Sequence, residues 1–339
     1  MFGRDLTASV HEIRGREGRT ANQATVTLTE LERGGVAVVF ATVTAGFLEQ
    51  DVGAGFEPRS AIYRTPWEAE AQALAQIELY ERWEQGGLVR LLRSVADLDH
   101  HLELWREDRK PGLIMLMEGA DPIVEVRDLK AWWRRGVRII GLTFGDTRYG
   151  PGVGGGGTNF RRGGLTPEGF ELIEQMSELG FGWDISHLTE EGVWQGLDLG
   201  VSRICASHAN ARAIVPTDRH LGDEVIRAVA RRDGVVGLVL YNGFLDPRWI
   251  EDRSVSVTLG KDLSRHAEHV ASVGGWEHVG IGSDLDGGFG RDESPAEVET
   301  VADLGRVGAA LPAEAREAVL GRNWLDFLAS SLPRNPWGR

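Results

Sequence analysis

Four residues able to hold a metal or move a proton stand at the ends of four apolar runs. Glu118 closes "LIMLME" (113–118), His187 follows "WDIS", His208 follows "ICAS", and Asp284 follows "GIGS". A carboxylate and two imidazoles form a hard-to-borderline donor set that suits Zn²⁺ or a similar divalent ion. Such an ion lowers the pKa of bound water toward about 7 and polarises a carbonyl. Asp284, if it is not a ligand, is placed to shuttle a proton. Taken singly, each residue also has an ordinary reading. A Glu at a strand end is a solvated loop residue, a lone His after a strand is a capping or satisfied group, and the Asp of "SDLDGG" is a turn former. Shared placement sets them apart: "DISH" and "ASHAN" fall on consecutive strands, at the same point relative to each.

The elements that must position these groups are legible as short apolar runs, each followed by a helical pattern. Strand candidates are 36–43, 113–118, 138–144, 180–186, 203–207, 234–240 and 278–284. They are near-continuous rather than alternating, as in a parallel sheet covered on both faces. Helices open at Thr65-Pro66, at Thr166-Pro167 and at Thr189, with glycine stops at Gly180 and Gly200. A further helix, "PAEAREAVLGRNWLDFLASSLP", closes the chain. Strand–helix alternation throughout predicts an α/β fold, a (β/α)₈ TIM barrel forming one domain over residues 1–339. In a barrel the C-terminal strand ends converge on the face that carries the active site. Only seven strands can be counted, and what precedes Val36 is polar ("TANQATVTLTELERGG"). The first strand is therefore expected to be missing, with residues 1–35 atypical.

Composition narrows the functions. The 339 residues carry a net charge of −14, which repels phosphate backbones and argues against nucleic acid. Lys110, Lys130 and Lys261 are the lysines; arginine supplies the remaining positive charge. The single cysteine, Cys205, permits no intrachain disulfide and suits a reducing compartment. No apolar run approaches the roughly 18–20 residues of a membrane span, and the N-terminus has no apolar signal-peptide core, so a cytoplasmic protein without membrane partners is expected. The glycine run at 154–157 follows Pro151-Gly152-Val153 and does not have the form of a phosphate-binding loop; it reads as a rim or lid loop. His278 begins a strand. His266 and His269 are three apart on a helix and read as exposed or packed, while His100, His101 and His220 lack strand-end placement.

Together, "LMEGA", "DISHLTEEGVW", "ASHANARAI…DRHLGDE" and "HVGIGSDLDGG" resemble the membrane dipeptidase (renal dipeptidase) family of metallopeptidases, which are amidohydrolase-like TIM barrels. The resemblance runs from about Thr25 to the end, where "GRNWLDFL" resembles the family's last helix. It implies hydrolysis of the amide bond of small dipeptides by a metal-bound hydroxide. Glu118 would bridge two Zn²⁺ ions, and His187 and His208 would complete the second metal site. Asp284 would take the proton from the attacking water and pass it to the leaving amine. Arg219, in "DRHLGDE", would hold the substrate's carboxylate; on sequence alone it reads equally well as a surface arginine on a helix approach. A homodimer is also implied.

Two departures qualify these expectations. The family begins with a strand ending in His-x-Asp, which holds the first metal, and no such motif lies upstream of Val36. The simplest expectation is a truncated start, with Met1 an internal methionine. A chain that truly begins there would keep one ion rather than two. The family's His after Leu-Thr, which contacts the scissile carbonyl, is here Phe144, which cannot donate a hydrogen bond; Asp146, Arg148 and Tyr149 are the candidate substitutes. Alternative readings follow: an amidohydrolase acting on another small amide, such as an N-acyl amino acid, or a catalytically impaired barrel lacking the first metal site.

Overall fold

The structure is a computed structural model that describes residues 4–17, 23–47, 62–154 and 162–335. The seven expected strands all form, and among the described residues these strands pair in parallel. The chain divides into two compact units.

The first unit comprises residues 37–205 and 328–339. Its strands are β1 (Val38–Thr44), β2 (Gly46–Phe47), β3 (Ile62–Tyr63), β4 (Arg90–Leu91), β5 (Gly112–Glu118), β6 (Val137–Gly141), β7 (Gly182–Asp184) and β8 (Ile204–Cys205). The sheet runs β1-β5-β6-β7-β8, with β4 paired to the start of β5 and β2 paired separately to β3. β5 is buried at every position except its last, Glu118. That pattern explains the apolar run: a strand covered on both faces can carry a charge only where it leaves the sheet. β4 is too short and too interrupted by Arg90 to announce itself as an apolar run.

Helix starts follow their capping residues. Thr65 accepts from the N–H of Glu68 at 3.3 Å and opens the helix Pro66–Gln85. That helix is tied to β1 by Tyr80 Oη, which donates to Thr42 O at 2.6 Å, and by Gln76 Nε2, which donates to Thr44 O at 2.6 Å. Thr166 caps Pro167–Leu179 and Gly180 ends it at φ +89, while Thr189 caps Glu190–Asp198. Cys205 is fully buried, and burial pushes its thiol well above the usual thiol range.

The second unit comprises residues 1–36 and 206–327. It holds β9 (Val236–Leu238) and β10 (Val279–Ile281), paired in parallel, and Ala206 bridges to Val236. Gly237 and Gly282 both pack on the carbonyl of Ser207. A Cβ on either would lie 2.1 or 2.0 Å from that oxygen, so backbone meets backbone there and only glycine fits. No strand forms upstream of β1 among the described residues; the segment carries the helices Val10–Glu17 and Leu28–Arg33 instead. It is held by backbone bonds from Arg291 N–H to Gln23 O (3.0 Å) and from Val301 N–H to Thr25 O (2.9 Å).

The closing helix departs from expectation. A short 3₁₀ turn at Ala313–Ala315 precedes a wide turn over Ala318–Arg322, where Gly321 takes an extended backbone (φ 173), and only Asn323–Ser331 is regular α-helix. Among the described residues no helix is long and apolar enough to cross a membrane. Met1 and residues 155–161 of the glycine-rich loop lie outside the described residues.

Candidate metal centre

Three of the predicted side chains share one placement: His187 stands three residues beyond the end of β7, His208 three beyond β8, and Asp284 three beyond β10. Glu118 is the last residue of β5 itself. Two of the four, His187 (φ +65) and Asp284 (φ +55), take the left-handed backbone that non-glycine residues rarely adopt. Such conformations persist where the surroundings impose them, and they concentrate at functional sites.

Glu118 is pinned on both sides. Its backbone pairs with Thr44 and Gly141, and Thr44 Oγ1 donates to its carbonyl at 2.8 Å. Gly119 then turns the chain at φ +80, where a Cβ would sit 3.2 Å from the Cβ of Phe144. His187 is fixed from behind. Its Nδ1 lies 2.9 Å from Val153 O, and Val153 N–H returns a bond to His187 O at 2.6 Å. A carbonyl can only accept, so Nδ1 carries a proton, and Nε2 is the nitrogen turned away from Val153. Nε2 lies 3.4 Å from Glu118 Oε1. A neutral imidazole nitrogen and a carboxylate oxygen are both acceptors, and the pair is compatible only with a cation, or a second proton on the imidazole, between them.

His208 is buried, and its Nδ1 shares a hydrogen bond with Ser207 Oγ at 2.7 Å. Glu118, His187 and His208 each offer one ligand atom, and these atoms all lie within 4.8 Å of one another. A tetrahedral ion about 2.1 Å from each ligand wants them about 3.4 Å apart. The His187–Glu118 edge already has that length. Glutamate with two imidazoles, each wired through Nδ1, is a donor set that fits zinc, and wiring of this kind orients metal-binding histidines generally.

Phe144 meets the His187 ring edge-on, with centroids 5.2 Å apart and planes at 80°. It forms an apolar wall beside the imidazole. The three candidate substitutes for a histidine at this position have other engagements. Asp146 accepts from Gly152 N–H at 3.1 Å, and Arg148 bonds the Ile123 carbonyl. Tyr149 is fully buried, donates to Ile123 O at 2.6 Å, and is pushed up to about 12 by that burial.

Asp284 is half-buried and sits in a tight turn: Gly287 N–H donates to its carbonyl at 2.9 Å, and a Cβ on Gly287 would lie 1.8 Å from Asp284 Oδ1. Arg219 is only 4% exposed, which is not the surface arginine that the sequence allowed. Its guanidinium carbon lies 5.5 Å from the centre of the Phe244 ring. His220 and His266 are packed core residues. His220 meets Phe244 edge-on at 4.8 Å, and His266 Nδ1 accepts from Ala211 N–H at 3.1 Å. His269 bonds Asp223 Oδ1 at 2.8 Å, and His101 Nε2 bonds Ala37 O at 2.8 Å. Sequence reasoning missed Asp286. It reads as the second acid of a turn, yet it takes hydrogen bonds from residues some 260 positions away.

The family profile described as membrane dipeptidase (peptidase family M19) matches residues 4–326. An uncharacterized Klebsiella pneumoniae protein encoded in the pqqA 5′ region is 34% identical over 260 residues, which is 74% of this chain and 90% of that one. An uncharacterized dipeptidase of Schizosaccharomyces pombe is 28% identical over 200 residues; the match spans 58% of this chain and 46% of the yeast protein, less than half its length. Among solved structures, a metallopeptidase from Rhodobacter sphaeroides, liganded with a phosphinate mimic of the dipeptide L-Ala-D-Ala, superposes with a TM-score of 0.78. It is 24% identical and 95% of each chain is covered. The probable dipeptidase PvdM from Pseudomonas aeruginosa gives 0.75 at 18% identity, with 92% of this chain and 90% of that one covered. These structures share the fold.

Proposed function

The chain belongs to the membrane dipeptidase family, peptidase family M19, and on that premise we propose that it is a metal-dependent hydrolase cleaving the amide bond of small dipeptides. The observation that carries the proposal is the convergence of Glu118, His187 and His208, with Nε2 of His187 3.4 Å from a Glu118 carboxylate oxygen. Glu118, His187 and His208 would hold the ion. A divalent ion such as Zn²⁺ bound there supplies Lewis acidity, polarising the scissile carbonyl and making water acidic enough to attack at neutral pH.

The remaining work falls to side chains of the chain. Asp284 accepts the proton of the attacking water and delivers it to the leaving amine, a role that needs a carboxylate held in one orientation. Arg219, its charge desolvated and backed by Phe244, grips the substrate's terminal carboxylate and fixes the register of the peptide bond. Phe144 offers an apolar surface and no donor. That favours a second reading within the same chemistry, hydrolysis of another small amide such as an N-acyl amino acid.

The test is metal analysis of the purified chain followed by hydrolysis assays with and without added Zn²⁺. The panel contains dipeptides with L and D second residues, together with N-acetyl amino acids. We expect at least one ion per chain and zinc-dependent dipeptide cleavage. Cleavage confined to N-acyl substrates would select the second reading. A chain that binds no zinc, or that binds it and hydrolyses neither class, would overturn the proposal.

A further inference from the structure

We infer that Asp286 is a positioning residue for Asp284, and that it makes the N-terminal segment part of the proton-transfer apparatus. This inference rests on the role proposed above for Asp284.

The observation is a concentration of donors on one largely buried carboxylate two residues from Asp284. Asp286 Oδ1 accepts from Thr25 N–H at 2.9 Å and from Thr25 Oγ1 at 2.7 Å, while Oδ2 accepts from Val26 N–H at 3.1 Å. Arg4 Nη1 lies 3.0 Å from Oδ1. Arg4 is itself clamped, its Nε donating to Glu17 Oε1 at 2.6 Å, and Glu17 Oε2 accepts from Ala24 N–H at 3.1 Å. The anchor thus combines charge-assisted hydrogen bonds from Thr25 and Val26 with an ion pair to Arg4, which Glu17 holds in turn, and hydrogen bonds to an ionised acceptor are the strong ones.

An ordinary turn does not need this. The 284–287 turn already closes through Gly287 N–H and the Asp284 carbonyl. What the turn lacks by itself is a reason to stay strained: Asp284 and Asp286 both have positive φ, at +55 and +64. Two left-handed non-glycine residues in a three-residue span relax unless something holds them. The bonds at Asp286 hold one end, β10 holds the other, and the Asp284 carboxylate is fixed between them. Gly287 lies so close to Asp284 Oδ1 that the carboxylate has little room to swing. Asp286 therefore acts through Asp284 and not on substrate.

The experiment is a double-mutant cycle on the zinc-loaded enzyme with a cleaved dipeptide. Asp286→Ala is expected to lower kcat by about 100-fold, the scale set by roughly 1 Å of misplacement, with KM unchanged because the substrate grip is untouched. Asp286→Asn, which keeps an acceptor oxygen for Thr25, is expected to recover part of that loss. In an Asp284→Asn background the same Asp286→Ala change is expected to cost nothing further, since there is no longer a carboxylate to aim. A general structural role would lower kcat by the same factor in both backgrounds, and that additivity would overturn the inference while leaving the role of Asp284 intact. Unchanged kcat in Asp284→Asn alone would remove the role of Asp284, and this inference with it. If Asp286→Ala does not fold, Thr25→Val carries the test. It deletes one donor and leaves the two backbone bonds and the Arg4 ion pair in place, and a smaller fall in kcat, again absent in the Asp284→Asn background, is expected. Independent losses in the two backgrounds would refute the inference in that variant as well.

Discussion

Adding one methyl group at position 282 should disable this protein. Gly282 Cα faces the carbonyl oxygen of Ser207, and a Cβ built there would lie 2.0 Å from it, where real Cβ contacts stay beyond 3.0 Å. The backbones must therefore part by about 1 Å. Because the obstacle is main chain, no rotamer change relieves it, and the cost sits at the upper end of the overpacking range, about 3 kcal/mol. That is more than a 100-fold loss in the ratio of folded to unfolded chain. The bond from Gly282 N–H to Leu238 O, 3.1 Å long, lies in the path of the displacement. Asp284 is two residues downstream of the added methyl and His208 is the next residue after Ser207, so both shift. Gly282→Ala should thus show a fall in Tm of several degrees, weaker zinc binding, and a loss of about 100-fold in kcat/KM among the molecules that remain folded. Gly15→Ala is the control. Gly15 lies within the helix Val10–Glu17 with nothing within 4 Å of a new Cβ, and the change should raise stability by about 0.5–1 kcal/mol. A Gly282→Ala protein with the parent's Tm, zinc affinity and activity would refute the reasoning, as would a Gly15→Ala protein harmed as much.

Other outcomes follow from the same geometry. Glu118→Gln keeps the shape but removes the charge opposite His187, and equilibrium dialysis should show zinc affinity falling by more than the about 10–100-fold cost of losing an outer partner, with circular dichroism unchanged. Phe244→Ala removes the ring beneath Arg219, an interaction worth about 0.5–2 kcal/mol, so KM for a dipeptide should rise by roughly 2- to 30-fold while KM for its C-terminal amide stays put. Burial pulls the imidazole of His266 down to about 4 and that of His220 to about 2, so both stay neutral in the fold at pH values where the unfolded chain, near 6.5, takes up protons. Their contribution is complete above about pH 6.5 and is lost as pH falls toward the folded values, at up to about 1.4 kcal/mol per pH unit for each histidine. His220→Asn should flatten that decline between pH 6.5 and 4 in denaturant titrations; parallel curves for parent and variant would refute it.

How far the sequence alone leads can be judged residue by residue. β5 was readable because a strand buried on both faces must be continuously apolar, and Glu118 was conspicuous because it broke that rule. Helix starts were readable because Thr65, Thr166 and Thr189 satisfy orphan N–H groups locally, within three residues. β4 was not readable, since its two residues owe their strand geometry to β5 and not to their own pattern. The break at Gly321 lay hidden inside a sequence with good helical periodicity. At the candidate site, the residue types and their placement at or just beyond strand ends could be seen. The burial of Arg219 and the anchoring of Asp286 could not, because both depend on partners far away along the chain, and no local spacing encodes a bond between positions 25 and 286.

The lone thiol offers an experimental handle. Cys205 is sealed within the sheet and resists ionisation there, so a maleimide or disulfide reagent has nothing to attack while the native packing persists. Every labelling event is consequently a record of the interior having opened. The chain thus carries its own single-site stopwatch for breathing motions, and addition or chelation of zinc should slow or speed its ticking without any engineered tag.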